Sequence, residues 1–457
     1  GGTSSFHPRM LLKVLVYAYI NNIYSSRKIE EALQQNIHFM WLAAGSKPDH
    51  NTINRFRSER LKDVLRAIFT QVVSLLVEEG LLNIKELYVD GTKIESAAGR
   101  YTFVWGKAIK TARERIKTQL DELWAYAQGV AALEAEDTDP TDFDPIDPEK
   151  VAARIEQINE ALTDKPVDKK VQAKLRYAEK NWPSKLKQYQ EQEKVMGEGR
   201  NSYSKTDPGA TFMRMKEDHM KNGQLKPAYN VQIATNNQFI ATYSLHQSPS
   251  DTTALLPLLV THEKAHGVRP QAVITDAGYG SHQNYAALEQ QHITAYVKHR
   301  DFDREQSSRL AAGKPYAADK LAYDEAQDEY RCPSGAAMIR TGGKQLVTTT
   351  GFIQDLAVYE AKDCSDCPLR AQCHDGSGNR IIEVNHELRR HKAAANERLK
   401  SEEGIAHRKR RCWDVEPVFG NIKNNHGFRR FMLRGTEKVE IEVGLLALAH
   451  NLRKKVA

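Results

Sequence analysis

Residues 270–291, PQAVITDAGYGSHQNYAALEQQ, constrain the fold of this chain more than any other stretch. A short buried-type strand, Ala272 to Thr275, delivers Asp276 into a turn bracketed by glycines, and a helical pattern follows at once. Strand, acid, loop and helix in that order form the usual site architecture of an α/β sheet, where side chains meet at the C-terminal ends of strands. ELYVDGTKIES (86–96) repeats the theme: Leu87 and Val89 alternate, and the run ends at Asp90-Gly91. AYNVQIATNNQFIATYSLHQSPSD (228–251) reads as a hairpin around an Asn-Asn turn, TTALLPLLVTHEKAHG as a helix, and ITAYVKHR (293–300) as another strand.

Around this α/β pattern the chain is helical. Residues 6–80 carry helical stripes such as Leu11, Leu12, Leu15, Val16 and Tyr19, with Ser25 or Ser26 and then Asp49 or Asn51 as caps. Short helices joined by a turn, the later one bearing Thr52, Asn54, Arg55 and Arg57, suit a helix-turn-helix DNA reader and equally an ordinary helical bundle with a solvated face. From about 106 to 200 three charged helical stretches are interrupted by the acidic LEAEDTDPTDFDPIDPEK (133–150). No heptad is sustained there, so a helical hairpin is expected rather than a long zipper.

With 457 residues, 40% of them hydrophobic, the chain can bury a large core in more than one domain. No run approaches the ~18 apolar residues of a membrane span. Neither is there a charged-then-apolar leader, so a soluble, cytoplasmic protein is expected. Lys and Arg exceed Asp and Glu by 66 to 59, a modest net +7. Clustering gives the excess its weight: HRKRRC, FRRFMLRG and NLRKK crowd the C-terminus, with Arg408, Arg410, Arg411, Arg429, Arg430 and Arg434 among them. That segregation favours a polyanion-binding surface.

WDVEPVFGNIKNNHGFRRFMLRG (413–435) places a lone carboxylate, Glu416, among these cations. Val415, Val418, Phe419 and Ile422 make one helical stripe, and Glu416 and Lys423, seven apart, share another face. Pro417 suits a first helical turn, which puts Glu416 near the helix start. Asp90, Asp276 and Glu416 are thus three acids from separate elements. Mg2+ takes few protein oxygens and keeps waters and substrate phosphate. Two such ions activate the attacking oxygen and stabilise the leaving one in phosphodiester displacement. Glu95, Asp207 and Asp251 stand in reserve as structural or supporting acids.

The five cysteines are an odd count, against a secreted disulfide framework. Cys332, Cys364, Cys367 and Cys373 lie in YRCPSG and KDCSDCPLRAQC, a spacing compatible with a four-thiolate structural Zn2+ site, with His374 able to replace Cys373. Reduced thiols in a loop domain, or a redox CxxC, are the alternatives. A segment this small is expected to need a metal to hold together.

VDGTKIE, ITDAGYGS and VEPVFGNIKNNHGFRRFMLRG resemble the three catalytic motifs of the DDE transposases of bacterial insertion sequences. RKIEEAL, HFMW and TINRFRSERL extend the resemblance to the insertion-sequence family numbered 1182, within the insertion-sequence 5 group. It covers nearly the whole chain, from Phe6 to Arg453. It implies an α/β, RNase H-like core made of a mixed sheet with helices (81–105, 201–305 and 380–457). Appended to it would be an all-helical N-terminal DNA-binding domain (1–80), a helical insertion (106–200) and a small zinc-ribbon-like, cysteine-rich insertion (306–379).

It also implies Asp90, Asp276 and Glu416 as ligands of two Mg2+ or Mn2+ ions per active site, and Lys423 as a contact to the DNA phosphate. The partners would be double-stranded DNA, as terminal inverted repeats and target, and further copies of the chain in a dimer or larger synaptic complex near the bacterial nucleoid. The activity implied is cutting of the repeat ends and joining of their 3'-OH groups to target DNA. A catalytically silent DNA-binding descendant and a stand-alone nuclease are the competing readings. One departure stands out. Where related transposases have the tyrosine and arginine of Y-x2-R-x3-E-x6-K, this chain has Lys409 and Cys412, with Arg408, Arg410 and Arg411 at shifted positions.

Overall fold

The computed structural model describes residues 6–131, 147–215, 223–306 and 316–457, so most of the acidic 133–150 stretch lies outside the described residues. The chain divides into two compact units: Gly1–Glu95 with Tyr229–Ala457, and Ser96–Ala228. No described helix is long and apolar enough to cross a membrane.

In the first unit β1 (Glu86–Glu95) and β7 (Ala272–Thr275) pair in parallel, with Glu86, Leu87 and Tyr88 opposite Ala272, Val273 and Ile274. Continuing that register brings Asp90 abreast of Asp276. β8 (Thr294–Val297) pairs in parallel with the far edge of β7. β5 (Leu225–Asn236) neighbours β1 and forms an antiparallel hairpin with β6 (Phe239–His246). Its turn is Asn237-Gln238, both at positive φ, one residue later than the expected Asn-Asn pair. Leu87, Tyr88, Val89, Val273 and Ile274 are buried, as central parallel strands covered on both faces must be. α9 (Leu255–His266) packs on β6, and α10 (His282–Gln290) and the His386–Lys400 helix pack on β8. The Glu402–Asp414 helix lies against β7 and β8. This mixed sheet with its helices fits an RNase H-like core.

The N-terminal helices close around the end of the chain. α1 (Pro8–Ile20) and α5 (Leu65–Glu78) both pack on the C-terminal Thr436–Val456 helix, which is buried at every position from Ile441 to Asn451. A helix enclosed on all sides has to satisfy any polar group internally. Glu442 does so. Its Oε1 accepts from Tyr19 Oη at 3.0 Å, and its Oε2 from the Met432 and Leu433 N–H groups at 2.8 Å each. Arg57 Nη1 lies 3.8 Å from Glu442 and donates to Tyr24 O at 2.7 Å.

Residues 323–384 form an antiparallel sheet in the order β13 (Ile381–Val384), β12 (Ile353–Ala361), β11 (Ala337–Val347), β10 (Glu329–Arg331), β9 (Tyr323–Asp324). It has a core of its own, Tyr330, Met338, Tyr359, Ala361, Ile382 and Val384, with the Tyr330 and Tyr359 rings edge-to-face at 4.8 Å.

The second unit has a short ribbon, β2 (Phe103–Trp105) paired with β3 (Ser202–Ser204), and β4 (Thr211–Arg214) paired with the first residues of β5. Its main body corrects the expected helical hairpin to three mutually packed helices: α6 (Gly106–Ala131), α7 (Pro148–Ala161) and α8 (Lys169–Met196). Their shared core runs Ile116, Leu120, Leu123 on α6, Val151, Ile155, Ile158 on α7, and Leu175, Trp182, Leu186 on α8. Asp147 caps α7 through the Glu149 and Lys150 N–H groups, with Pro148 in the first turn.

Two measurements follow from this packing. Glu442→Ala leaves the Arg57 charge without its counter-ion and two backbone N–H groups without their acceptor, so it is expected to cost about 3–5 kcal/mol in calorimetric unfolding. Burial holds His262 and His450 down to about 4. Each accepts no proton in the fold while the unfolded chain binds one below about 6.5. Stability is therefore expected to fall as pH drops from 6.5 towards 4, by ~2–3 kcal/mol per histidine, and His450→Asn should flatten that slope.

Candidate active site

The middle of β1, the end of β7 and the helix junction at 414–416 meet at one guanidinium. Arg411 Nη2 lies 3.4 Å from Asp90 Oδ1 and 3.8 Å from Asp276 Oδ2, and Arg411 Nη1 lies 3.1 Å from Glu416 Oε1. Each acid is placed by its own local chemistry. Asp90 accepts from the Gly91 N–H at 2.8 Å, and Asp276 caps the turn after β7 through the Gly278 N–H at 2.8 Å. Glu416 opens a short helix, Glu416–Gly420, after Val415 breaks the preceding one. Asp90 is nearly buried, whereas the Glu416 side chain is 50% exposed, so the pocket opens to solvent on the Glu416 side.

The glycines of the two Asp motifs have a common reason. A Cβ on Gly91 would sit 2.1 Å from Gln232 Nε2 and 2.7 Å from Asp251 Oδ1; one on Gly278 would sit 3.0 Å from Asp276 Oδ1 and 3.7 Å from Asp251 Oδ2. Beneath them Tyr279 donates to Gln232 Oε1, and Gln232 donates to Asp251 Oδ1 at 2.8 Å. Burial, with the Asp251, Asp90 and Asp276 anions, pushes the Tyr279 phenol well above its ordinary pKa. Asn230 and Gln232 escaped the sequence reading. Their signal was two amides, two apart, inside a run otherwise fit for a buried strand.

Three carboxylates supply the hard oxygen donors that Mg2+ or Mn2+ takes, and they already surround a cation, so the donor set fits a divalent metal. Among the described residues no three His, Cys, Asp or Glu side chains are grouped closely enough to hold an ion as they stand. At this centre the guanidinium fills the space between the acids. A metal held by these acids would compete with Arg411 for one set of charges.

The same observation leaves the zinc expectation without support. Cys332 Sγ pairs with Ser334 Oγ at 2.9 Å, Cys373 Sγ accepts from Arg380 Nη1 at 2.8 Å, and Cys364 Sγ accepts from the Arg380 N–H at 3.4 Å. Cys367 joins no such set, and all four cysteines are free. The aromatic core of the antiparallel sheet supplies the cohesion that a metal was expected to provide.

The expected DNA contacts divide. Arg57 is 2% exposed and bound to Tyr19, Tyr24 and Asn54 beside Glu442, so it holds the helices together and does not face DNA. In the short helix α4 (His50–Arg55), capped by Asp49, Arg55 and Asn54 are exposed and Thr52 is half-buried. Arg410 is engaged by Glu86, Asp414 and Asn237 and lies over the Tyr88 ring; Arg408 lies over Phe302. Arg429, Arg430 and Arg434 are exposed on the segment that pairs with the end of β1 at Glu95. The backbone turns π-helical over Asn421–Asn425, and the buried Lys423 donates its Nζ to Lys93 O at 2.8 Å. Of the reserve acids, Asp207 accepts from Ser96 in the second unit, and Glu95 is buried and pairs through its backbone with Arg429 and Phe431.

A mixed sheet with acids from three separate elements gathered at one cation is what the geometry provides. The comparisons add what the chain is similar to. The family model described as "Transposase DDE domain" matches residues 331–456, and "Transposase domain (DUF772)" matches residues 1–59. Over these two segments the chain is similar to DDE transposases. The first match includes Arg411, Glu416 and Lys423. No curated protein matches the chain.

Without Arg411 the three acids lose the cation they share. Arg411→Gln is expected to lower the metal-free melting temperature by several degrees, and millimolar Mg2+ to recover more of that loss in the variant than it adds to the native protein.

Proposed function

We propose that this protein is the transposase of an insertion sequence of the 1182 type, cutting DNA at its terminal inverted repeats and joining the 3'-OH ends to target DNA. The observation that carries the reading is the convergence of Asp90, Asp276 and Glu416, from three separate elements, on one cation. These acids would hold the two Mg2+ or Mn2+ ions, which when bound activate the attacking oxygen and stabilise the leaving one.

The chain's own residues do the rest. Arg411 neutralises the acids before the divalent ions arrive. Once displaced, its guanidinium lies beside them, free to take a phosphate oxygen near the scissile bond. Arg429, Arg430 and Arg434 hold the flanking backbone through charge. Lys423, tied to Lys93 O three residues past Asp90, braces the end of β1. α4, with Thr52, Asn54 and Arg55, reads the repeat, and the complex that joins two ends contains two or more copies of the chain. Water attacks in cleavage and the 3'-OH in joining, so no covalent protein–DNA intermediate forms. The silent DNA-binding alternative is not favoured, because such a protein has no use for three charged acids gathered in one pocket.

The test uses labelled DNA carrying the element's terminal repeat, with Mg2+ or Mn2+. The native protein is expected to nick at the repeat end and join it to target. Glu416→Gln should bind DNA as before and lose more than the ~100-fold typical of residues that only support a ligand. DNA binding without cutting by the native protein would move the assignment to the silent reading.

A further inference from the structure

Asp251 lies in the loop between β6 and α9, and its two oxygens have different surroundings. Oδ1 accepts from Asn230 Nδ2 and Gln232 Nε2, each at 2.8 Å. Both amides are fully buried on one face of β5. They are themselves fixed: Gln232 Nε2 also donates to Asn230 Oδ1 at 3.0 Å, and Gln232 Oε1 accepts from Tyr279, three residues beyond Asp276. Oδ2 takes no hydrogen bond among the described residues and lies on the Gly278 side, 3.7 Å from where a Cβ there would stand. The N–H of Gly278 is the one that holds Asp276. Thr252, next in the chain, donates to Gly278 O at 2.9 Å and so pins the Asp251 loop to the Asp276 turn.

A carboxylate whose only role was to satisfy two amides would need no negative charge, because a neutral amide oxygen accepts the same bonds. Here a charge is kept close to two other acids, where like-charge repulsion is a cost. The glycines after both Asp90 and Asp276 leave room for it. We propose that Asp251 is a fourth acid of the centre, a positioning residue whose free oxygen faces the bound divalent ion's water shell and strengthens its hold. The proposal rests on the metal-dependent reading of the site above.

The test is Mn2+ affinity, read by electron paramagnetic resonance on the full-length, DNA-free protein, with melting temperature recorded alongside. Native protein, Asp276→Asn, Asp251→Asn and Asp251→Ser are compared. Asn can receive both amides through its Oδ1, so the fold should persist; Ser is a second neutral replacement should Asn disturb the loop. The expected result is Mn2+ binding by the native protein, loss in Asp276→Asn, and roughly 10-fold weaker binding in the Asp251 variants at unchanged melting temperature. If either folded Asp251 variant binds Mn2+ as the native protein does while Asp276→Asn does not, Asp251 is structural only and the triad stands. If the native protein binds no Mn2+, the metal-dependent reading falls and this proposal with it.

Discussion

The parallel pairing of β1 with β7 is the constraint from which the rest of the site follows. Its register, continued, sets Asp90, midway along β1, beside Asp276, just past the end of β7. Two carboxylates so placed repel each other, and Glu416 adds a third charge from the helix junction. Such an arrangement persists only with a cation among the acids. In the DNA-free protein that cation is Arg411, delivered from the last turn of the Glu402–Asp414 helix. A guanidinium serves because its fork reaches several oxygens at once, where an ammonium offers a single point of charge.

The elements carrying the site were largely legible in the sequence. Ala272–Thr275 is a strand within its expected bounds, because an uninterrupted apolar run ending at an acid and a glycine leaves few other options. Glu86–Glu95 begins where expected but runs past the expected end at Asp90-Gly91, because the residues after Gly91 stay extended and mostly buried. The three helices between 106 and 196 followed their periodicity, although how they pack depends on which stripes face each other, and pattern alone does not say.

What stayed hidden was long-range charge pairing. Arg57 reads as a surface cation of a DNA-facing helix until Glu442, 385 positions later (442 − 57), is placed beside it. Arg410 looks no different from Arg411 in HRKRRC, yet one is engaged by Glu86 and Asp414 and the other by the three acids. Local sequence fixes neither partner. The π turn at Asn421–Asn425 was likewise invisible, since its residues suit an α-helix as well. The cysteine spacing suggested a metal, while the tyrosine packing that gives this segment a core of its own could not be read from it.

The burial of the Thr436–Val456 helix among the N-terminal helices has a consequence for synthesis. Tyr19 and Glu442, bonded in the finished fold, are made 423 residues apart. At ~5–20 residues per second the ribosome needs tens of seconds to span that gap. During that time α1 and α5 lack the surface they cover. Glu416 and the exposed arginines leave the ribosome just ahead of the closing helix, so the site and the fold that holds it are completed together. A chain released short of its last turns therefore carries every acid of the centre on a body that cannot close.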